Sequence, residues 1–186
     1  HTWLVKRSPL HIITDGVYAN PVRRTNQQWE IPVEVTLQNS GKCAASNVIV
    51  EATLYNKNAE IVACGEVCTQ VQLFHETVAT LNLQVTDPHL WSVDDPYLYT
   101  VVTQVKHEGK QTDEVKTKCG FRTIRFDKDT GFYLNDQPLK LKGTCNHIDH
   151  AGVGVAVPES LWEFRVRKLK EIGSNAYRCA HNPPAR

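Results

Sequence analysis

The stretch Asn175-Ala-Tyr-Arg-Cys-Ala-His-Asn-Pro-Pro184 decides the second half of the fold. Asn175 to Cys179 reads as a short strand with Arg178 and His181 at its end. Upstream, Leu139, Leu141 and Gly143-Thr-Cys145 read as another short, buried strand, followed by the polar cluster Asn146-His-Ile-Asp-His150. Between the two, Leu161, Trp162, Val166, Leu169 and Ile172 recur at helical spacing and give one apolar stripe. Pro158 suits the first helical position, where its missing N–H has no partner to lose. Glu159 in the first turn and Lys168 and Lys170 near the last complement the helix dipole, and Gly173 ends the helix. Strand, helix and strand in this order imply a right-handed parallel unit. Polar groups at both strand ends match the opening of an α/β barrel, whose chemistry sits at the C-terminal ends of its strands.

Outward from this segment, residues 1 to about 126 carry β patterning almost without interruption. Val33, Val35 and Leu37 alternate with Glu34, Thr36 and Gln38. Val48 to Tyr55 is the next strand, then an Asn56-Lys-Asn-Ala turn and Ile61-Val-Ala. Ala79, Leu81, Leu83 and Val85 alternate with polar residues, and Tyr97–Lys106 and Gln111–Lys118 flank the hairpin loop His107-Glu-Gly-Lys110. Cys119 to Phe126 reads as a last strand and Gly131 to Leu141 as a hairpin around Asn135-Asp136. With no Pro/Ser-rich linker between them, the two parts are expected to be rigidly joined. The expected class is mainly β: an immunoglobulin-like β-sandwich followed by the first β-α-β segment of a truncated (β/α)8 barrel. Trp29 and Trp91 are expected in the sandwich core.

The 186 residues include 21 basic and 20 acidic ones, a net charge of +1, with 41% hydrophobic residues. Without a long basic run there is no electrostatic case for a nucleic-acid partner. Nothing approaches the roughly 18 consecutive apolar residues of a membrane span. The chain has no Met and opens on His1, which reads as a piece of a longer protein, and a signal region would lie outside it. That leaves a periplasmic or extracellular location open. Of the six cysteines, Cys64 and Cys68 lie close together, but no Cys/His spacing matches a zinc site. The cysteines are expected to be free, half-buried thiols, and neither a metal nor a cofactor is expected.

Leu90-Trp-Ser-Val-Asp-Asp-Pro-Tyr-Leu-Tyr99, Gly120-Phe-Arg-Thr-Ile124, Leu141-Lys-Gly-Thr-Cys-Asn-His147 and Asn175 to Pro184 follow one another in the order used by family-2 glycoside hydrolases. The chain resembles that group of β-galactosidases, β-glucuronidases and β-mannosidases over nearly its whole length. The resemblance implies that residues 1–8 are the tail of a jelly-roll domain. Residues 9–126 would be the immunoglobulin-like sandwich and 127–186 the N-terminal portion of the catalytic barrel. Family members are retaining hydrolases with two glutamates, about 5 Å apart, acting as acid/base and nucleophile. Neither glutamate motif occurs in this sequence, and Glu159, Glu163 and Glu171 fall on the barrel helix. No catalytic residue is therefore expected within the chain.

What the resemblance places here is a supporting set. Arg178 matches the arginine that hydrogen-bonds the nucleophile; a guanidinium keeps a nearby carboxylate ionised. His181, followed by Asn182-Pro-Pro184, matches a histidine that contacts the sugar ring. His147 and Asp149 match sugar-contacting or site-shaping positions, although with His150 they also suit the plainer task of satisfying loop backbone groups. Cys145 stands where many relatives carry Asn. The implied partner is a β-linked carbohydrate, with a β-galactoside as the first choice. The alternative is an immunoglobulin-like module that binds carbohydrate or another protein, which would have no need of Arg178 and His181. The apolar stripe of the helix, beside an unpaired parallel strand edge, is further expected to drive self-association.

Overall fold

In strand β3, Gln28–Asn39, the side chains of Trp29, Ile31, Val33, Val35 and Leu37 are buried and those between them are not. That period of two comes from the pleat, which sends successive Cβ atoms to opposite faces. A computed structural model describes residues 4–25 and 27–181, and the chain divides into two compact units, Val5–Ile124 and the residues from Arg125 onward. In the first unit, β3 pairs on one edge with β6, Glu76–Thr86, and on the other with β1, Leu10–Ala19, and β2, Val22–Arg23. β1 and β2 are one strand interrupted. Ala19 faces Val33 and Val22 faces Glu30 in unbroken register, and between them Pro21 brings no N–H to the ladder.

The facing sheet is antiparallel in the order β5-β4-β7-β8: Ile61–Val71, Ala45–Tyr55, Tyr99–His107 and Lys110–Cys119. Val48, Val50, Ala52 and Leu54 of β4 and Val101 and Val105 of β7 join the β3 and β6 side chains in one core cluster. This is the sandwich expected from the alternation. The β7–β8 turn is Glu108-Gly109, both at positive φ, 51° and 73°, as a two-residue hairpin of type I′ requires. β5 is longer than the sequence suggests, because its outward residues Cys64, Glu66 and Cys68 mask its alternation.

One end of the core is aromatic. Phe121 meets Trp29 at 5.5 Å and Tyr99 at 4.9 Å between ring centroids, both edge to face, a geometry worth about 0.5–1.5 kcal/mol per pair beyond burial. The Leu90–Tyr99 loop closes over this end. Trp91 N–H donates to the Phe121 carbonyl at 2.8 Å, His89 N–H to the Tyr99 hydroxyl at 2.9 Å, and the His89 ring lies 2.6 Å from Asp95 Oδ2. Trp29 is core as expected. Trp91 is only half-buried, with the Arg122 guanidinium 4.7 Å above its ring, because it belongs to the closing loop and not to a strand.

Two other expectations are corrected here. Cys119 to Phe126 is not one strand: β8 ends at Cys119, Phe121 makes a single bridge to Leu90, and β9 begins at Ile124. Phe121 is fully buried in the aromatic cluster, so the chain is drawn inward where the ladder would have continued. The thiols are not half-buried: five are exposed and Cys119 is buried. Burial pushes the Cys119 thiol up to about 12 from an ordinary 9.0.

At the boundary starts β9, Ile124–Asp127, which joins β10, Gly131–Leu134, and β11, Gln137–Pro138, in one small sheet. Asp127 turns the chain between β9 and β10 by accepting the N–H groups of Thr130 at 2.8 Å and Asp129 at 3.0 Å. Those bonds, Thr130 first, hold its carboxyl below the ordinary range. Asn135 and Asp136, at φ 49° and 65°, form the expected hairpin turn. Next come β12, Gly143–Asn146, helix α1, Glu159–Glu171, and β13, Ala176–Cys179, with β12 and β13 paired in parallel. Pro158 precedes the helix instead of opening it: its ψ is 158°, extended, while its carbonyl accepts the Leu161 N–H at 3.0 Å. At the other end, Gly173 N–H bonds the Lys170 carbonyl and Ser174 N–H the Leu169 carbonyl, both 2.9 Å, with Gly173 at φ 82°. This paired closure satisfies carbonyls the helix would leave orphaned. β12 was expected to be buried, yet Gly143, Thr144 and Cys145 are exposed, since among the described residues only β13 pairs with it.

Candidate functional site

The strand starts are locked before the strand ends become relevant. Asn175 accepts the Lys142 N–H on its Oδ1 at 2.7 Å and donates its Nδ2 to the Lys140 carbonyl at 3.0 Å. Ser174 Oγ adds a bond to the Lys142 carbonyl at 2.9 Å. At Gly143 the neighbouring strand comes so close that a Cβ would lie 2.4 Å from the Ala176 carbonyl oxygen. The register is thereby fixed with Gly143 opposite Ala176, Thr144 opposite Tyr177, Cys145 opposite Arg178 and Asn146 opposite Cys179. Register partners share a face, so Cys145 and Arg178 point the same way. Arg178 Nη1 lies 3.6 Å from Cys145 Sγ.

Beyond the strands the backbones remain tied, Ala180 N–H donating to the Asn146 carbonyl at 2.9 Å. His147 and His181 follow at the same end, their rings 5.0 Å apart and tilted by 39°. His181 sits at φ 66°, a region that non-glycine residues enter at some cost and that often accompanies functional sites. His147 and His181, read separately from two parts of the sequence, thus meet at one strand end, while Arg178 stands within β13 beside Cys145, and all three are exposed. Asp149 lies two residues further along the first loop. Its backbone carbonyl and that of His147 both accept from Arg165 on α1, and Arg165 Nη2 lies 3.2 Å from His150 Nδ1. Asn182 lies outside the described residues.

Arg165 is the residue that sequence reasoning missed. Nothing in its spacing separates it from the other charged residues of an amphipathic helix. The one available signal is its place a turn after Trp162, whose ring it covers at 5.1 Å. An open cleft of about 380 Å³ lies between this helix and the β12 loop, lined by Cys145, Asn146, His147, Asp149, Phe164 and Arg165 among others. Neither Arg178 nor His181 lines it. The helix glutamates stand elsewhere: Glu171 pairs with Lys168 at 2.7 Å. No group of three His, Cys, Asp or Glu side chains among the described residues has the geometry of a metal site. Chemically, the gathered set offers hydrogen bonds and positive charge to an anionic or hydroxyl-rich partner, with no paired carboxylates to carry a proton.

Comparison with known proteins gives this arrangement a context. Residues 11–122 match the family model described as glycosyl hydrolases family 2, and residues 126–186 match the TIM barrel domain of the same family. The chain is 35% identical over its full length to the β-galactosidase BoGH2A of Bacteroides ovatus, covering 22% of that protein. It is 31% identical to a β-glucuronidase of Bacteroides fragilis, over 96% of this chain and 25% of the relative. In three dimensions it resembles a glycosyl hydrolase family 2 member from Bacteroides cellulosilyticus. The TM-score is 0.86 at 36% identity, over 95% of this chain and 23% of that one. The chain therefore spans about a quarter or less of the length of these relatives. Across both of its units, with an immunoglobulin-like sandwich and the opening β-α-β of a TIM barrel, this chain belongs to the glycosyl hydrolases of family 2.

Proposed function

We propose that this chain forms the sandwich and the first β-α-β segment of a retaining β-glycosidase that removes terminal non-reducing β-linked sugars, with β-galactosides as the first substrate class. The observation that supports the reading is the contact of the His147 and His181 rings just beyond the C-terminal ends of a parallel strand pair, one strand of which carries Arg178. Barrel enzymes place their chemistry at that end. In this reading Arg178 donates to the nucleophilic carboxylate and keeps it ionised. His147, Asp149, His181 and Asn182 contact or shape the sugar site, and both catalytic glutamates come from sequence beyond this chain. The galactoside choice is supported by the name of the Bacteroides ovatus relative; glucuronides, named for the Bacteroides fragilis one, are the nearest competitor.

The test is hydrolysis of a panel of nitrophenyl β-glycosides by the full-length protein and, separately, by this chain alone. Release of nitrophenol from the galactoside by the full-length protein, and none from any sugar by the chain, is the expected result. No release from any sugar by the full-length protein sinks the assignment, and turnover by the chain alone shows the catalytic residues to be misplaced. For the chain on its own we further propose self-association through α1, whose Val166 and Ile172 are 46% and 75% exposed. Sedimentation at several concentrations tests this, and a monomer throughout overturns it.

A further inference from the structure

The loop that carries His147 and Asp149 is largely exposed. On its far side it closes on itself. His150 N–H donates to the Gly154 carbonyl and Gly154 N–H to the His150 carbonyl, both at 2.9 Å. On its near side one side chain holds it. Arg165 donates from Nη1 to the His147 carbonyl at 3.1 Å and from Nη2 to the Asp149 carbonyl. A guanidinium has donors only, so in this contact the facing Nδ1 of His150, 3.2 Å away, is the acceptor. The Arg165 guanidinium carbon also lies over the Trp162 ring, 5.1 Å from its centroid, a cation–π contact that adds to its hold on the helix side.

We propose that Arg165 is the positioning residue of this site. By spanning the carbonyls of two alternate loop residues and the ring of a third, it fixes the backbone that aims His147 towards His181 and sets where Asp149 leaves the loop. This role rests on the glycosidase reading for its consequence, but not for its geometry. A lysine offers a point charge without a planar fork and cannot span all three acceptors. Displacing a substrate-contacting group by about 1 Å is enough to cost on the order of a hundredfold in rate.

The test uses the full-length protein with two readouts. In kinetics, Arg165→Ala should lower kcat/KM on the hydrolysed glycoside by about 10- to 100-fold. Combined with His147→Ala it should cost clearly less than the product of the two single losses, because the two changes share the His147 contact. Losses that multiply overturn the proposal. In amide exchange, Arg165→Ala should speed residues 147–154 while residues 159–171 keep their protection. Unchanged exchange in the loop overturns it as well, whether or not the protein is a glycosidase. If the alanine variant does not fold, Arg165→Lys is measured in the same two ways and should show a smaller loss of the same pattern. Wild-type protein without any glycosidase activity would refute the functional reading, and the exchange experiment would then decide the positioning role by itself.

Discussion

At position 178 an exposed guanidinium stands on a short strand, its hydrogen-bond partner among the described residues being a thiol, and no salt bridge among them takes up its charge. Exposed, weakly engaged charges contribute little to stability, whereas a charge that strengthens its grip as a reaction proceeds contributes to rate. Arg178→Ala in the full-length protein should therefore slow formation of the glycosyl-enzyme by about 10²–10³-fold and leave the melting temperature nearly unchanged. An unchanged kcat with a large fall in Tm would make Arg178 a structural residue instead. Cys119 is the opposite kind of residue. Its thiol is pushed from 9.0 up to about 12 by burial, so the folded state holds the proton longer than the unfolded one. Its contribution to stability is complete below about pH 9 and is lost as pH rises toward 12. The stability difference between wild type and Cys119→Ala should shrink over that range, and at pH 8 a thiol reagent should count five fast cysteines in the native chain. The strand that carries Arg178 and stops just before His181 was legible in the sequence, because the short run Ala176 to Cys179 is soon followed by two prolines that cannot extend a ladder. Arg165 was not, since a helix-surface arginine looks the same whether it faces water or three loop acceptors.

The parallel pair β12–β13 is the element on which the site depends, and it turns on one missing side chain. An alanine at position 143 would put its Cβ 2.4 Å from the Ala176 carbonyl oxygen and 2.9 Å from the Ala176 Cβ. Backbone cannot yield as a side-chain tip does, so Gly143→Ala should cost about 1–3 kcal/mol and loosen the pairing. Faster amide exchange across residues 176–179 would show this, and unchanged exchange would mean that the pair accommodates the methyl without loosening. The helix and its end were readable because the apolar spacing and Gly173 each have a direct physical cause. The start was misjudged by one residue, as Pro158 serves as well before a helix as inside it. β9 was joined to β8 for a related reason: the run from Cys119 to Phe126 has strand composition throughout. Only the aromatic cluster, built from Trp29 and Tyr99 far away in sequence, reveals why Phe121 leaves the ladder.

Over the whole molecule, burial is unevenly shared. Every residue of the main core cluster lies between Leu10 and Phe121, while from Arg125 onward the buried apolar residues among those described are Leu134, Val157 and Ala180. Exchange protection follows cooperative burial, so in the chain alone β3, β4 and β7 should exchange orders of magnitude more slowly than α1 and β13. Equal protection in α1 would show a stabilising cover that the buried residues do not reveal. Within the sandwich the ends of the sequence meet: the Ile12 N–H is held at 2.9 Å by the Asp113 carboxylate, 101 residues later. Such long-range closure slows folding to the millisecond-to-second range. On a ribosome it also sets a schedule. The first strand can pair as soon as β3 emerges, but its Ile12 N–H must wait in water until the eighth strand, with Asp113, has cleared the exit tunnel, and the next stretch to emerge is the one that begins the barrel.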